Sequence, residues 1–179
     1  MLKSKTPFVK VYDKFLSKVT DDMYMELTEL DTFRMLEDLL TSAICKFEFP
    51  RVNLNDYELE GFEDEKTYSG VLTDGVEVKM FVYSDGYFNN ALSLEEINIL
   101  ATYMLVEWLG QQLATVDNTR MKFSGDDFKV TSQANHMAKI LQIKQDYERE
   151  GFHLQRLYKR RKADENGIMK STFGQIMGN

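Results

Sequence analysis

Few side chains in this sequence have the types and spacing that chemistry requires. The two histidines, His136 and His153, are 17 positions apart, which on one helix separates them by about 25 Å, too far to share a metal ion. The single cysteine, Cys45, follows Ile44 on the apolar side of a predicted helix, and we predict a buried structural thiol. The sequence has no glycine-rich phosphate loop, zinc-protease helix or nucleophile elbow. We therefore expect no catalytic residue, no metal site, no cofactor and no enzymatic activity.

Adjacent carboxylates are the remaining candidates for chemistry. They occur at Asp21-Asp22, Glu95-Glu96 and Asp126-Asp127. Two of these pairs stand at predicted helix starts, where negative charge complements the helix dipole, so capping explains them better than catalysis. One alternative stays open. Asp126-Asp127 and a nearby acidic run could hold a divalent cation, as in a nuclease, and the metal would then stabilise the protein against heat.

Acidic residues are concentrated in residues 56–65, which we call the acidic segment. The chain has 29 acidic and 22 basic residues, giving a formal net charge of −7. The segment holds six acids and no base, namely Asp56, Glu58, Glu60, Glu63, Asp64 and Glu65. Such a run is typical of a solvated loop or an electrostatic surface.

The opposite charge is concentrated near the C-terminus, in residues 156–162. This basic block contains no acid, and its bases are Arg156, Lys159, Arg160, Arg161 and Lys162. It could bind nucleic-acid phosphates with Tyr158 stacking on a base, contact an acidic protein surface, or complement the dipole at a helix C-terminus. The negative net charge argues against wrapping nucleic acid as the main activity, because that requires a basic face that releases counterions.

Helical periodicity covers most of the chain that must position these residues. Apolar residues recur at intervals of three and four over residues 7–19, opened by Pro7, and over residues 32–47, with Asp31 as N-cap. Ser93 and Glu96 form a capping box that starts a third helix. A fourth helix is predicted over about residues 127–162. An unbroken helix of that length exceeds a compact domain of this size, so either Gly151 ends or bends the helix or the helix projects beyond its domain. We expect a long helix that is bent or weakened near Gly151.

Between the second and third helices the pattern becomes that of strands. β-branched and aromatic residues flank Asp74-Gly75 within residues 66–84, which predicts a β-hairpin, and Tyr87-Phe88 could add a short third strand. A lone hairpin is marginally stable in water. We therefore expect this insertion, about residues 61–91, to pack on the helices or on a partner.

Together these elements predict a mainly α fold: a helical bundle of about four helices with an inserted β-hairpin and an extended C-terminal arm. The helical domain is assigned to residues 1–162 and the arm to residues 163–179. The arm contains the apolar residues Ile168, Met169 and Phe173, which is unusual for a disordered tail. It either binds a partner or folds back on its own domain. No apolar run approaches the roughly 20 residues that span a bilayer, so we expect no membrane contact.

The third and fourth predicted helices carry a resemblance to a known family. Its residues are Leu92-Ser93-Leu94-Glu95-Glu96-Ile97-Asn98-Ile99-Leu100-Ala101, Met104, Glu107-Trp108-Leu109, Gln112, Asp126-Asp127-Phe128-Lys129 and Ser132-Gln133-Ala134-Asn135-His136. This pattern resembles neck proteins of tailed bacteriophages that infect Gram-positive hosts and, more broadly, the head–tail adaptor class of connector proteins. The match covers about residues 7–56 and 92–161, and its motifs are helix faces. The inserted hairpin and the segment after Lys162 depart from the family pattern.

The resemblance implies a structural role in the virion neck for a protein made in the host cytoplasm. Head–tail adaptors are small helical bundles that form a ring, commonly of twelve copies, beneath the portal protein. Their C-terminal arms usually embrace the portal, and the other face receives a stopper or tail-terminator protein. DNA passes through the lumen without sequence-specific binding.

On this interpretation, the basic block and the arm residues Ile168, Met169 and Phe173 contact the portal or a neighbouring subunit. The acidic segment faces a neighbour's basic block or the DNA channel, where negative charge lets DNA slide without sticking. The alternative is a small DNA-packaging or DNA-binding factor that uses the basic block.

Overall fold

The computed structural model describes residues 5–19, 28–59, 66–67, 79–80, 86–122, 130–163 and 169–171. Four helices occupy most of these residues: α1 (Val9–Leu16), α2 (Glu29–Lys46), α3 (Leu94–Lys122) and α4 (Val130–Arg160). The predicted mainly helical bundle is confirmed. Helix α3 packs against each of the other three helices, so it is the central element of the fold.

The first half of α3 is buried on nearly all sides. Between residues 96 and 109 every side chain except those at 98 and 107 is buried, which is typical of a helix surrounded by other elements. The predicted capping box is present: Glu96 N–H donates to Ser93 Oγ at 3.3 Å, and Ser93 N–H donates to Glu96 Oε2 at 2.7 Å. Its local sequence therefore fixes where the core helix begins.

Helices α1 and α2 cover α3 with apolar residues at helical spacing. The buried side chains are Phe8, Val11, Tyr12 and Phe15, and Leu36, Leu39, Leu40, Ala43, Ile44 and Phe47. Helix α2 begins three residues earlier than predicted, because Thr28 and not Asp31 is the N-cap, and the Thr28 side chain accepts a hydrogen bond from Asp31 N–H at 3.2 Å. The threonine hydroxyl satisfies a backbone donor that has no partner within the helix.

Short strands connect the helices. They are β1 (Thr6–Pro7), β2 (Tyr57–Glu58), β3 (Lys66–Thr67), β4 (Lys79–Met80), β5 (Tyr87–Phe88), β6 (Arg161–Ala163) and β7 (Met169–Ser171). An antiparallel sheet has the order β1-β5-β2. The prediction that Pro7 opens the first helix is wrong, because Pro7 lies in β1 and pairs with Tyr87. An edge strand tolerates a proline, which has no N–H to donate.

The inserted hairpin is present as the antiparallel pair β3–β4, with Lys66 opposite Met80 and Thr67 opposite Lys79. Its predicted turn at Asp74-Gly75 lies outside the described residues. Tyr87-Phe88 does form a strand, but this strand belongs to the other sheet, between β1 and β2. The two sheets share no strand.

Helix α4 continues through Gly151, so the helix does not end at this glycine. The helix has 31 residues, about 46 Å at 1.5 Å per residue. A Cβ on Gly151 would lie 2.9 Å from Tyr103 Cζ on α3, which shows that glycine is needed for close helix packing. The two helices run antiparallel, since Gly110 of α3 lies opposite Lys144 and Tyr103 lies opposite Gly151.

The N-terminal half of α4 lies at the edge of the core, where Ile140 and Ile143 pack against it while remaining partly exposed. No side chain between residues 135 and 150 is buried. At the other end, β6 continues from α4 and pairs with β7, so Ala163 and Met169 of the predicted arm are part of a short antiparallel pair. Within the described residues, no helix combines the length and the apolar character that a membrane crossing requires.

Candidate functional site

Three exposed members of the basic block lie on the last turns of α4. Arg156, Lys159 and Arg160 are all exposed. Lys159 Nζ is 3.9 Å from the centre of the Phe49 ring, a cation–π contact from the segment that follows α2. Arg156 makes no ion pair with any side chain in the described part of the chain. This surface therefore presents cationic groups to solvent.

The other members of the block are placed differently. The Arg161 guanidinium is 2.9 Å from Glu95 Oε1 at the start of α3. Lys162 and Met169 lie in the β6–β7 pair, and their side chains are outside the description. Ile168 and Phe173 also lie outside the described residues. The structure thus groups Arg156, Lys159 and Arg160, and it gives Arg161 a partner within the fold.

Tyr158 cannot stack on a base, contrary to one prediction for the basic block. Its side chain is 2 % exposed and packs edge-to-face on Phe47, with ring centres 5.5 Å apart. The Tyr158 hydroxyl donates a hydrogen bond to Glu96 Oε1 and accepts one from Arg51 N–H at 3.0 Å. Burial, together with the hydrogen bond to Glu96, raises the pKa of Tyr158 above its usual value.

Arg51 caps the C-terminal end of α4, a role that the sequence did not indicate. Its guanidinium lies 4.0 Å from the centre of the Tyr158 ring. One guanidinium nitrogen donates to the carbonyl of Tyr158 at 2.5 Å and to the carbonyl of Arg161. Carbonyl groups at a helix C-terminus have no partner within the helix and favour a cation. The cation that satisfies them comes from the segment after α2.

Gln155 ties that same segment to α4 and α3. Its amide nitrogen donates to the carbonyl of Lys46 at 3.0 Å and to the Tyr103 hydroxyl at 2.5 Å, and its oxygen accepts from Glu48 N–H at 2.9 Å. Gln155 is 3 % exposed, so these bonds form in a site that water does not reach. The result is a fixed position for residues 46–51 beside the end of α4.

Two exposed aromatic side chains accompany the cations, and sequence inspection missed both. Phe49 is 47 % exposed and Phe152 is 53 % exposed. Phe152, Arg156 and Lys159 follow one another at four and three positions, so they lie on one side of α4, and Lys159 contacts Phe49. We call Phe49, Phe152, Arg156 and Lys159 the aromatic–cationic strip. A helical wheel of residues 149–160 identifies three of its members, whereas Phe49 joins only through the fold.

A pocket of about 130 Å³ opens on another side of α4, between its end and the start of α3. Its lining combines the apolar Ile99, Leu154 and Leu157 with Glu95 and Arg161. Glu95 Oε2 is buried and accepts no hydrogen bond from a described residue, while Oε1 accepts from Arg161. The pocket has the size of a single side chain.

No protein-family model, curated protein or solved structure matches this chain. The site is therefore interpreted from its own geometry.

The described acids of the acidic segment make contacts within their own sheet. Asp56 accepts hydrogen bonds from the side-chain amides of Asn89 at 3.0 Å and Asn90 at 3.4 Å. Glu58 accepts from the Tyr87 hydroxyl at 2.6 Å, and this bond, foremost among several causes, lowers the pKa of Glu58. Glu60, Glu63, Asp64 and Glu65 lie outside the described residues, so their role stays a prediction.

The candidate residues for chemistry remain dispersed. Cys45 is exposed, so the prediction of a buried thiol is wrong: Ala43, Ile44 and Phe47 face the core, and Cys45 lies between them on the solvent side of α2. His136 and His153 are both exposed on α4. Among the described residues, no group of three or more His, Cys, Asp or Glu side chains is arranged to hold a metal ion.

Proposed function

We propose that this protein is a head–tail adaptor of a tailed bacteriophage, a structural and non-enzymatic component of the virion neck. Made in the host cytoplasm, it forms a ring around the DNA channel and joins the portal protein to a stopper or tail-terminator protein. The observation that carries the proposal is the exposed basic surface at the end of α4, which lies immediately before the C-terminal segment. In the family that the sequence resembles, this segment contacts the portal.

The long antiparallel helices supply a second supporting feature. Because no side chain of α4 between residues 135 and 150 is fully buried, this part of the helix offers lateral surface for a neighbouring copy. Twelve copies is the number that the resemblance implies. A repeated head-to-tail contact that closes on itself produces such a ring.

The residue roles follow from this placement. Arg156, Lys159 and Arg160, with the rest of the basic block and with Ile168, Met169 and Phe173, contact the portal or a neighbouring subunit. The acidic segment faces a neighbour's basic block or the DNA channel.

Electron microscopy of the purified protein mixed with the portal protein of the same phage genome tests the proposal. We expect an additional ring on the portal, and removal of residues 163–179 should diminish it. The double substitution Arg156→Glu with Lys159→Glu should also weaken assembly. A control with the same charge change, Lys10→Glu with Lys14→Glu, should not, since both of these lysines are exposed on α1, away from the proposed contact surfaces. Absence of any portal complex, or undiminished assembly after the deletion, would count against the proposal.

A second candidate is a small DNA-packaging or DNA-binding factor. The observation that favours it is the exposure of Phe49 and Phe152 beside Arg156 and Lys159, since aromatic rings between cations bind single-stranded nucleic acid. This candidate predicts that the purified protein is retained on DNA at low salt and released as salt rises. If the variant with Arg156→Glu and Lys159→Glu is retained on DNA as strongly as wild type, the basic block is not the DNA site.

A further inference from the structure

The aromatic–cationic strip has the composition of a protein-binding surface. Large apolar side chains that face solvent are uncommon in the described part of the chain: only Val9, Phe49, Leu59, Leu94, Leu141 and Phe152 are exposed. Two of these six belong to the strip. Because Gln155 and Arg51 fix the segment that carries Phe49, this ring is held in place before any partner arrives, which lowers the entropic cost of binding.

The cations of the strip are available to an external acid. Arg156 has no ion-pair partner among the described side chains, and Lys159 contacts only an aromatic ring in the contacts recorded for it. Two exposed acids are close to the strip in sequence, Glu48 beside Phe49 and Glu150 near Phe152, and neither forms an ion pair with Arg156 or Lys159 in the described part of the chain. A partner that fits this surface therefore carries several carboxylates and at least one apolar side chain.

The chain itself contains a segment with that chemistry. Residues 57–65 alternate apolar side chains, Tyr57, Leu59 and Phe62, with five of the six acids of the acidic segment. Leu59 is 50 % exposed and follows Glu58, which is also exposed. Tyr57, by contrast, packs on Phe8 and Phe88 of its own chain. The segment and the strip thus have complementary charge, and Leu59 is an exposed apolar side chain of the segment.

We infer that the aromatic–cationic strip of one copy binds residues 57–65 of a second copy. The inference rests on the proposed ring, since it names the two surfaces that meet between neighbours. The carboxylates pair with Arg156 and Lys159, and the apolar side chains cover Phe49 and Phe152. When each pair of neighbours uses this contact once, it is head-to-tail and can be repeated around a ring.

A fluorescent peptide of residues 54–67, titrated with the full-length protein and followed by fluorescence anisotropy, tests the contact without requiring a ring. Arg156→Glu with Lys159→Glu should weaken peptide binding by up to about 25-fold, since each exposed ion pair contributes up to about fivefold. Phe152→Ala should weaken it by about fivefold or more. The matched controls, Lys10→Glu with Lys14→Glu and Leu94→Ala, should bind like wild type, since these side chains are exposed outside both proposed surfaces. Thermal melting of each variant checks that it is folded.

Four results would overturn the inference. The first is a peptide of scrambled order that binds as well as the native one. The second is equal binding by wild type and the strip variants. The third is a pair of observations: the protein stays monomeric at all concentrations, and it binds the peptide only after the acids in its own residues 57–65 are neutralised. Together these observations would place the contact within one chain. A labelled oligothymidylate of about 20 nucleotides is titrated in parallel. If the oligonucleotide binds in a way that depends on the strip and the peptide does not bind, the inference would also be refuted.

The peptide assay and the portal assay fail independently. A portal ring that forms although the peptide does not bind would refute this contact and leave the adaptor proposal standing. Peptide binding without any portal complex would support the contact between copies and count against the adaptor proposal.

Discussion

The packing of Gly151 against Tyr103 predicts the sign of the change in unfolding free energy that Gly151→Ala causes. A loss of stability indicates that Gly151 is needed for close packing, and a gain indicates that it weakens the helix. A Cβ on Gly151 would lie 2.9 Å from Tyr103 Cζ and 3.1 Å from Tyr103 Oη. The ring is 2 % exposed, and its hydroxyl is hydrogen-bonded to Gln155, so it has little room to move. In contrast, a Cβ on Gly110 would lie 3.5 Å from Lys144 Cε, an ordinary contact with a flexible side chain.

The two substitutions to alanine should therefore have opposite effects. Alanine is favoured over glycine by about 1 kcal/mol in a helix interior, and overpacking costs about 1 to 3 kcal/mol. We expect Gly110→Ala to stabilise the fold by about 0.5 to 1 kcal/mol. Gly151→Ala should destabilise it by up to about 2 kcal/mol, because the steric cost offsets the gain in helix propensity.

Urea denaturation followed by circular dichroism measures both free energies of unfolding, and calorimetry measures the melting temperatures. A difference of 2 kcal/mol between the variants corresponds to about 4 to 8 °C in a domain of this size. Replacing Tyr103 by leucine in the Gly151→Ala background should recover part of the loss, since the two positions contact each other. If Gly151→Ala were stabilised as much as Gly110→Ala, the packing argument would be refuted and Gly151 would be a weak point of the helix.

Three more predictions concern Tyr158 and Cys45. Tyr158→Phe should destabilise the fold by about 2 to 4 kcal/mol in urea denaturation, because it removes a bond to a carboxylate and leaves Arg51 N–H without its acceptor. Tyr147→Phe, a partly buried control with no recorded hydroxyl bond, should change stability by less than about 0.5 kcal/mol. Equal effects of the two substitutions would contradict the stabilising role of the hydrogen bonds among Tyr158, Glu96 and Arg51. Because the pKa of Tyr158 is raised in the fold, the unfolded chain loses the hydroxyl proton near pH 10 while the folded chain keeps it. The stability difference between wild type and Tyr158→Phe should therefore be constant below about pH 10 and shrink above it by up to about 1.4 kcal/mol per pH unit. Urea titrations on both sides of pH 10 measure this difference, and a difference that widens above pH 10 would show that the pKa of Tyr158 is not raised. Cys45 should react with a thiol reagent in the native protein as fast as in urea, and strong protection in the native state would contradict its exposure.

The helices were largely predictable from the sequence because their signals are local. The capping box of Ser93 and Glu96 and the apolar stripe that follows it place the start of α3 within one residue of the structure. The same reasoning identified α2 but selected Asp31 as N-cap, since both Thr28 and Asp31 have side chains that can cap a helix. The hydroxyl of Thr28 caps the helix, and Asp31 supplies the N–H.

The errors arose where one element determines the state of another. Pro7 is typical of a helix start, but pairing with Tyr87 places it in a strand. Gly151 is typical of a helix end, but the Tyr103 ring requires the absence of a Cβ. Cys45 follows an apolar residue, but the core lies on the other side of its helix. Such outcomes depend on contacts between residues distant in the chain, which a local pattern does not contain.

The position of the candidate site was partly predictable, and Glu96 explains why the rest was not. Its role as a capping residue is visible in the sequence, and one carboxylate oxygen indeed accepts from the backbone and hydroxyl of Ser93. Its other oxygen accepts from Tyr158, 62 residues later, which in turn accepts from Arg51. The first turn of the core helix, the end of α4 and the segment that carries Phe49 are therefore joined through one buried carboxylate. A buried polar network of this kind favours one arrangement because each member loses a partner in any other. The position of Phe49 relative to the basic block thus depends on Glu96, a capping residue of α3, although Phe49 and the basic block both lie outside α3.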